Sequence, residues 1–162
     1  MQDLSKLILE AAKKSKVITN PDGTPTEYYH GSHEDFVDFK HGNMGDHRAH
    51  YFTTDKESAE HYAQGRAYYH SKPHGFVHTV HLSATKTLET DETNNYRDDV
   101  RWARSTKSHD SITGPTHEGP NNPHHNRAVL EADQIHHVKS EKVHIADPEK
   151  MARLYPNRPV KD

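Results

Sequence analysis

The chain has 162 residues, a net charge of -3, 30% apolar residues and no cysteine. This length suits one domain with one core, and so low an apolar fraction calls for a small core with long connections. The charge gives no electrostatic case for nucleic acid or an anionic membrane as partner, no run approaches the roughly 20 apolar residues of a transmembrane helix, and the missing cysteines exclude disulfides and thiolate chemistry. A cytoplasmic setting, in a producer or a target cell, is the expectation, since a reducing compartment fits a cysteine-free chain and Lys6, Lys13 and Lys14 interrupt any secretory apolar run. Seventeen scattered histidines make the charge depend strongly on pH below about 6.5.

In chain order, Leu4, Leu7, Ile8, Ala11 and Ala12 recur at helical spacing, and Asn20-Pro-Asp-Gly23 is a turn that closes this segment. Glu27 to His30 is a short strand, with Gly31-Ser32 as a tight turn out of it. Phe36, Val37 and Phe39 form an apolar patch, and Gly42 to His50 is a loop. Ala49 to Thr53 is a second strand, and Thr54 or Asp55 caps a helix from Lys56 to about Tyr69. Pro73-His-Gly75 breaks that helix before the strand Phe76 to Leu82, where Phe76, His78, Val80 and Leu82 share one face and Val77, Thr79 and His81 the other. Leu88 anchors an acidic run. Asn95 to Ala103 is a short helix carrying Val100 and Trp102, and Thr106 to Asn126 is a long exposed loop of the kind usually kept for function. Ala128 to Leu130 and Ile135 to Val138 are strands joined by a turn at Glu131 to Gln134, and Lys142 to Ile145 is another. Short strands with a few helices make the fold α+β. One domain is expected over residues 1–145, with a polar, partly flexible extension over 146–162.

Tyr28-Tyr-His-Gly-Ser32, followed by Tyr51-Phe-Thr-Thr54 and a helix containing Ser58-Ala-Glu-His-Tyr62-Ala, resembles the histidine–tyrosine signature of the diphtheria-toxin and poly(ADP-ribose) polymerase branch of ADP-ribosyltransferases. Gly75 to Leu82 is similar to the next strand of that family, and Ala128 to Ile135 to its closing strand and turn. The likeness spans roughly Tyr28 to Ser140. It implies a split β-sandwich with an N-terminal helix and a helix after the second core strand, and NAD as the substrate that fills the crevice. On that resemblance His30 holds the nicotinamide ribose, Gly31 and Ser32 line the nicotinamide, Tyr51 stacks on its ring and Tyr62 packs nearby.

These residue types suit the task. An imidazole can bond ribose hydroxyls, and a tyrosine face attracts the cationic nicotinamide ring by about 1–2 kcal/mol. A carboxylate is also needed, to stabilise positive charge on the ribose as the glycosidic bond breaks. Counting back from Gln134-Ile135, the family's glutamate falls on Asn126, which cannot act as a base. Rifampin ADP-ribosyltransferases, a small branch, carry an aspartate after the middle strand, and Leu88-Glu-Thr-Asp91 is similar to that stretch. Asp91 is therefore the expected carboxylate, with Glu89, Glu118 and Glu131 as substitutes and Asn126 as a substrate contact. The acceptor is either a small-molecule hydroxyl, such as that of a rifamycin, or a protein side chain. A binding module without activity is the rival reading, prompted by Asn126. Adjacent histidines in a strand point to opposite faces, so His124-His125 and His136-His137 do not suggest a metal site.

Overall fold

A computed structural model of the chain describes residues 16–39, 49–91, 96–116 and 124–157. The helix expected over Leu4 to Ala12, most of the Gly42 to His50 loop, Glu118 and the Gly119 to Pro123 stretch lie outside the described residues. Seven strands form one hydrogen-bonded sheet: β1 (Tyr28–Ser32), β2 (His50–Thr53), β3 (His74–Leu82), β4 (Thr87–Glu89), β5 (Ser111–Thr116), β6 (His124–Val129) and β7 (Ile135–His144). Among the described residues three helices accompany them: α1 (Lys56–Tyr69), α2 (Tyr96–Thr106) and α3 (Pro148–Leu154). The strand order is β4-β5-β6-β2-β1-β3-β7, and only β4 and β5 run parallel. The α+β, split-sandwich expectation holds.

The split is visible in the register. β1 pairs with β3 at five consecutive positions but with β2 only at Tyr29 and Thr53. The sheet therefore divides at this seam into a half made of β1, β3 and β7 and a half made of β2, β6, β5 and β4. Each half is covered on the same face by its own helix. Under α1 lie Ala59, Ala63 and Val77, and under α2 lie Val100, Ala103, Ile112 and Ala128. The opposite face carries a third cluster, with Tyr28, Phe39, Phe52, Val80, Leu82 and Val129.

α1 starts where the sequence places it. The Asp55 side chain accepts from the Ser58 amide at 3.3 Å and satisfies a donor of the first turn. Ala59, Ala63, Gly65 and Ala67 are its buried residues, so the helix rests almost backbone to backbone on the sheet. The turn at Asn20 is also present: Gly23 donates to the Asn20 carbonyl and sits at φ +89°, where a side chain would be strained.

Three expectations need correction. Gly31-Ser32 is not a turn: both residues continue β1, opposite Val77 and Phe76. Thr106 to Asn126 is not one loop, because Ser111–Thr116 forms β5 between β4 and β6. That strand is built of Ser, Thr, Gly and Pro around a single large apolar residue, Ile112, so it lacks the alternation that marks a strand, and its two neighbours supply the order instead. The two strands expected at Ile135 and Lys142 are one ten-residue strand, β7, with a register shift opposite Thr79 and Val80. The segment after Ala146 includes a folded helix, α3. It is capped by Asp147, begins with Pro148, buries Met151 and brings Tyr155 against Gly65 of α1. None of the described helices is long and apolar enough to cross a membrane.

Candidate active site

His30 sits at the seam. Alternation along β1 sends Tyr28, His30 and Ser32 to the face away from α1, and Tyr29 and Gly31 towards it. The His30 ring lies among Phe36, Phe39, Phe52 and His78, at centroid distances of 5.4 to 6.2 Å. Its Nδ1 is 2.8 Å from the Tyr51 carbonyl oxygen. A carbonyl only accepts, so Nδ1 carries the proton and Nε2 of the neutral ring keeps a lone pair. Among the described residues nothing hydrogen-bonds to that Nε2. Burial pushes the His30 pKa below its usual value, and the bond to Tyr51 only partly opposes this. The ring is therefore neutral at pH 7, an acceptor at Nε2.

Tyr51 meets His30 through its backbone. Its ring leaves β2 on the other face and packs against the cluster of Ala49, Val100, Ile112 and Ala128 under α2. The two rings thus flank the seam from opposite faces of the sheet, whereas the resemblance implied that they converge on one side. Tyr62, on α1, is 55% exposed and free of the core, on a surface where a planar ligand could reach it.

Gly31 is required by the packing of α1: a Cβ there would collide with the Ala59 carbonyl oxygen and lie 2.8 Å from the Ala63 nitrogen, so the glycine admits the close approach of the helix. Ser32 is buried, donates to the Glu34 carbonyl at 2.6 Å and contacts His78 Nε2 at 2.9 Å. It belongs to a network behind His30.

Asn126 lies across from Thr53 on β2 and Gly114 on β5, and alternation puts its side chain on the Tyr51 face. Its backbone oxygen accepts from the Thr113 hydroxyl at 3.0 Å, but its side-chain oxygen is buried and has no hydrogen-bond partner among the described residues. A buried amide oxygen left without a donor costs about 1–3 kcal/mol, and a hydroxyl or N–H brought to it would recover that cost.

The structure does not bring Asp91 to this group. It follows β4 on the outer edge of the sheet and is exposed. At the usual strand spacing it stands two strands, about 10 Å, from Asn126 and three strands, about 14 Å, from Tyr51. Glu89 is on the same edge. Glu131 caps the short 3-10 turn Ala132–Gln134 and pairs with Arg104 at 3.0 Å. Among the described residues no group of three or more His, Asp or Glu side chains could hold a metal ion.

Two residues of this neighbourhood were missed. Arg127, next to Asn126, donates to Tyr28 Oη at 3.1 Å, Thr87 Oγ1 at 3.0 Å and Ser111 Oγ at 2.7 Å, so one side chain ties β6 to β1, β4 and β5. Nothing in its local sequence marks it. His78 is fully buried beside His30, and here a signal existed: it is the polar member of the otherwise apolar stripe Phe76, Val80 and Leu82.

No curated protein matches the sequence. A family model described as ADP-ribosyltransferase in polyvalent proteins matches residues 20–151, which include both halves of the sheet, the seam, α1, α2 and the first turn of α3. With that span covered, the chain belongs to the ADP-ribosyltransferases.

Proposed function

We propose that this protein is an NAD-dependent mono-ADP-ribosyltransferase that binds NAD at the seam between β1 and β2. The bond between the nicotinamide nitrogen and the ribose C1′ breaks, its electron pair leaves with neutral nicotinamide, and an acceptor oxygen or nitrogen bonds to C1′ and loses its proton to water. The observation that carries this reading is His30: its Nδ1–H is tied to the Tyr51 carbonyl, so its Nε2 can only accept, as a ribose hydroxyl requires. On the other face of the seam, Asn126 offers a side-chain oxygen with no hydrogen-bond partner among the described residues, and Tyr51 an aromatic ring, so in this reading NAD reaches these groups only by crossing the seam from His30. Binding at these points aligns the leaving group, a contribution worth orders of magnitude in rate.

Asparagine cannot take the acceptor's proton. Asp91, after the edge strand β4, stands too far along the sheet for direct contact at C1′. A small-molecule hydroxyl and a protein side chain both remain acceptor classes. The second reading, an NAD-binding module without turnover, is favoured by one observation, the amide at Asn126.

Incubation with NAD in the presence of rifamycins or of cell-lysate protein, with free nicotinamide and transferred ADP-ribose measured, separates these. Release that falls about 100-fold in His30→Ala supports the transferase. Saturable NAD binding with no release supports the binding module. Neither binding nor release overturns both.

A further inference from the structure

His30 has a cross-strand partner of its own kind. His78 on β3 stands directly opposite it, with ring centroids 6.2 Å apart. Both nitrogens of the His78 ring are engaged: Nδ1 with Ser140 Oγ on β7 at 2.8 Å, and Nε2 with Ser32 Oγ at 2.9 Å and the Glu34 carbonyl at 3.2 Å. Ser140 Oγ also lies 2.9 Å from His137 Nε2.

The direction of every proton in this chain follows from its ends. The Glu34 carbonyl can only accept, and at 2.6 Å it takes the single hydroxyl proton of Ser32. Ser32 must then accept from His78, which makes His78 the Nε2–H tautomer. Its Nδ1 is left with a lone pair, so Ser140 donates to it, and Ser140 in turn accepts from His137. The sequence His137 to Ser140 to His78 to Ser32 to Glu34 runs one way, from the outer strand to the segment that follows β1. That segment carries Phe36, which stacks on His78 at 4.2 Å, and Phe39, which edges His30 at 5.4 Å. Burial and the neighbouring His30 lower the His78 pKa to about 4, so the chain keeps this polarity at neutral pH.

We propose that His78 is a positioning residue for His30: through its bonds to Ser32 and Glu34 and its stack with Phe36, it fixes the ring orientation that presents His30 Nε2 at the seam. A core histidine that only filled space would need no such ordering, and an apolar residue of similar size would replace it. The inference rests on the proposed role of His30 in NAD binding, but it can be read without NAD.

The test is ring-nitrogen NMR of His30 in the full chain, wild type against His78→Leu, His78→Gln and Phe36→Leu, with folding followed by melting. Wild type shows a single Nδ1–H tautomer of His30. His78→Gln keeps a donor towards Glu34 and retains that signature, whereas His78→Leu gives mixed tautomers. Phe36→Leu, which loosens the stack and leaves the chain of bonds intact, gives a weaker mixture and keeps the test informative if His78→Leu does not fold. In enzyme that turns over, KM for NAD rises about tenfold in His78→Leu with a smaller change in kcat, and returns towards wild type in His78→Gln. An unchanged His30 signature in folded His78→Leu, or in Phe36→Leu where His78→Leu is unfolded, overturns the inference. Absence of NAD binding in wild type, with the NMR result as expected, would sink the NAD reading and leave the positioning role standing.

Discussion

The two halves of the sheet meet at His30 but are built differently. The half made of β1, β3 and β7 is held by close backbone approach, with Gly31 and Gly75 facing the Ala59 and Ala63 backbone of α1, and it has a polar interior of histidine and serine. The half made of β2, β6, β5 and β4 has an ordinary apolar contact with α2, and Arg127 joins its strands to β1 beside the Tyr29–Thr53 pairing and the His30–Tyr51 bond. The first half tolerates no added volume under its helix, and the second depends on a few polar ties. Residues that handle the ligand in the proposed function come from both, which explains why a single local motif does not define the site.

The largest effect is expected where the first half is tightest. Gly31→Ala places a methyl against the backbone of α1, which cannot move aside like a side-chain tip. It should destabilise the fold by about 3 kcal/mol, measurable as a lowered midpoint in urea. Wild-type stability after this change would mean that α1 does not rest on β1 as described.

Acid tests the same half. His30, His33 and His78 all have pKa values lowered by burial, so the folded state binds fewer protons than the unfolded chain below about pH 6.5. Their neutral forms contribute stability that is fully present above that pH and is lost as pH falls towards about 4, the value for His78. His78 alone accounts for up to about 3 kcal/mol across this window. Denaturation midpoints at pH 7 and pH 4.5 for wild type and His78→Gln check it: the difference between the two pH values should shrink in the variant.

In the second half, Arg127→Met removes bonds to Tyr28, Thr87 and Ser111 and leaves hydroxyls without their donor. A loss of about 2 kcal/mol is expected by chemical denaturation. If the loss is negligible, these bonds add nothing to the strand pairing and the His30–Tyr51 bond that also join the halves.

How much of this could be read from the chain depended on the same difference. Phe76 to Leu82 is a run of aromatic and β-branched residues after the Pro73-His-Gly75 break, and Asp55 precedes a run of alanines at helical spacing, so β3 and α1 were legible. β5 was not, because Ser111 to Thr116 has one large apolar residue and takes its order from two neighbouring strands. The histidine–glycine pair was legible as a motif, but its physics was not. The glycine serves the helix, and the ring of Tyr51 turns to the far face because Phe52 takes the other side of β2. Asp91 was chosen by position along the chain, and sequence distance does not disclose that β4 is an edge strand.

The smallest effects concern the carboxylate. Asn126→Glu restores an acid on the Tyr51 face and should raise nicotinamide release about tenfold, a change of about 1.4 kcal/mol in barrier. Asp91→Ala should leave release within about twofold. The reverse result, with Asp91→Ala inactive and Asn126→Glu unchanged, would return the catalytic acid to the edge of the sheet.

The most direct measurement is an NAD binding titration, followed by calorimetry, of folded wild type and folded His30→Ala. Saturable binding that weakens at least about tenfold in the variant is the expected result. Equal affinity in the two proteins would contradict a ligand seated at the seam between the first two strands.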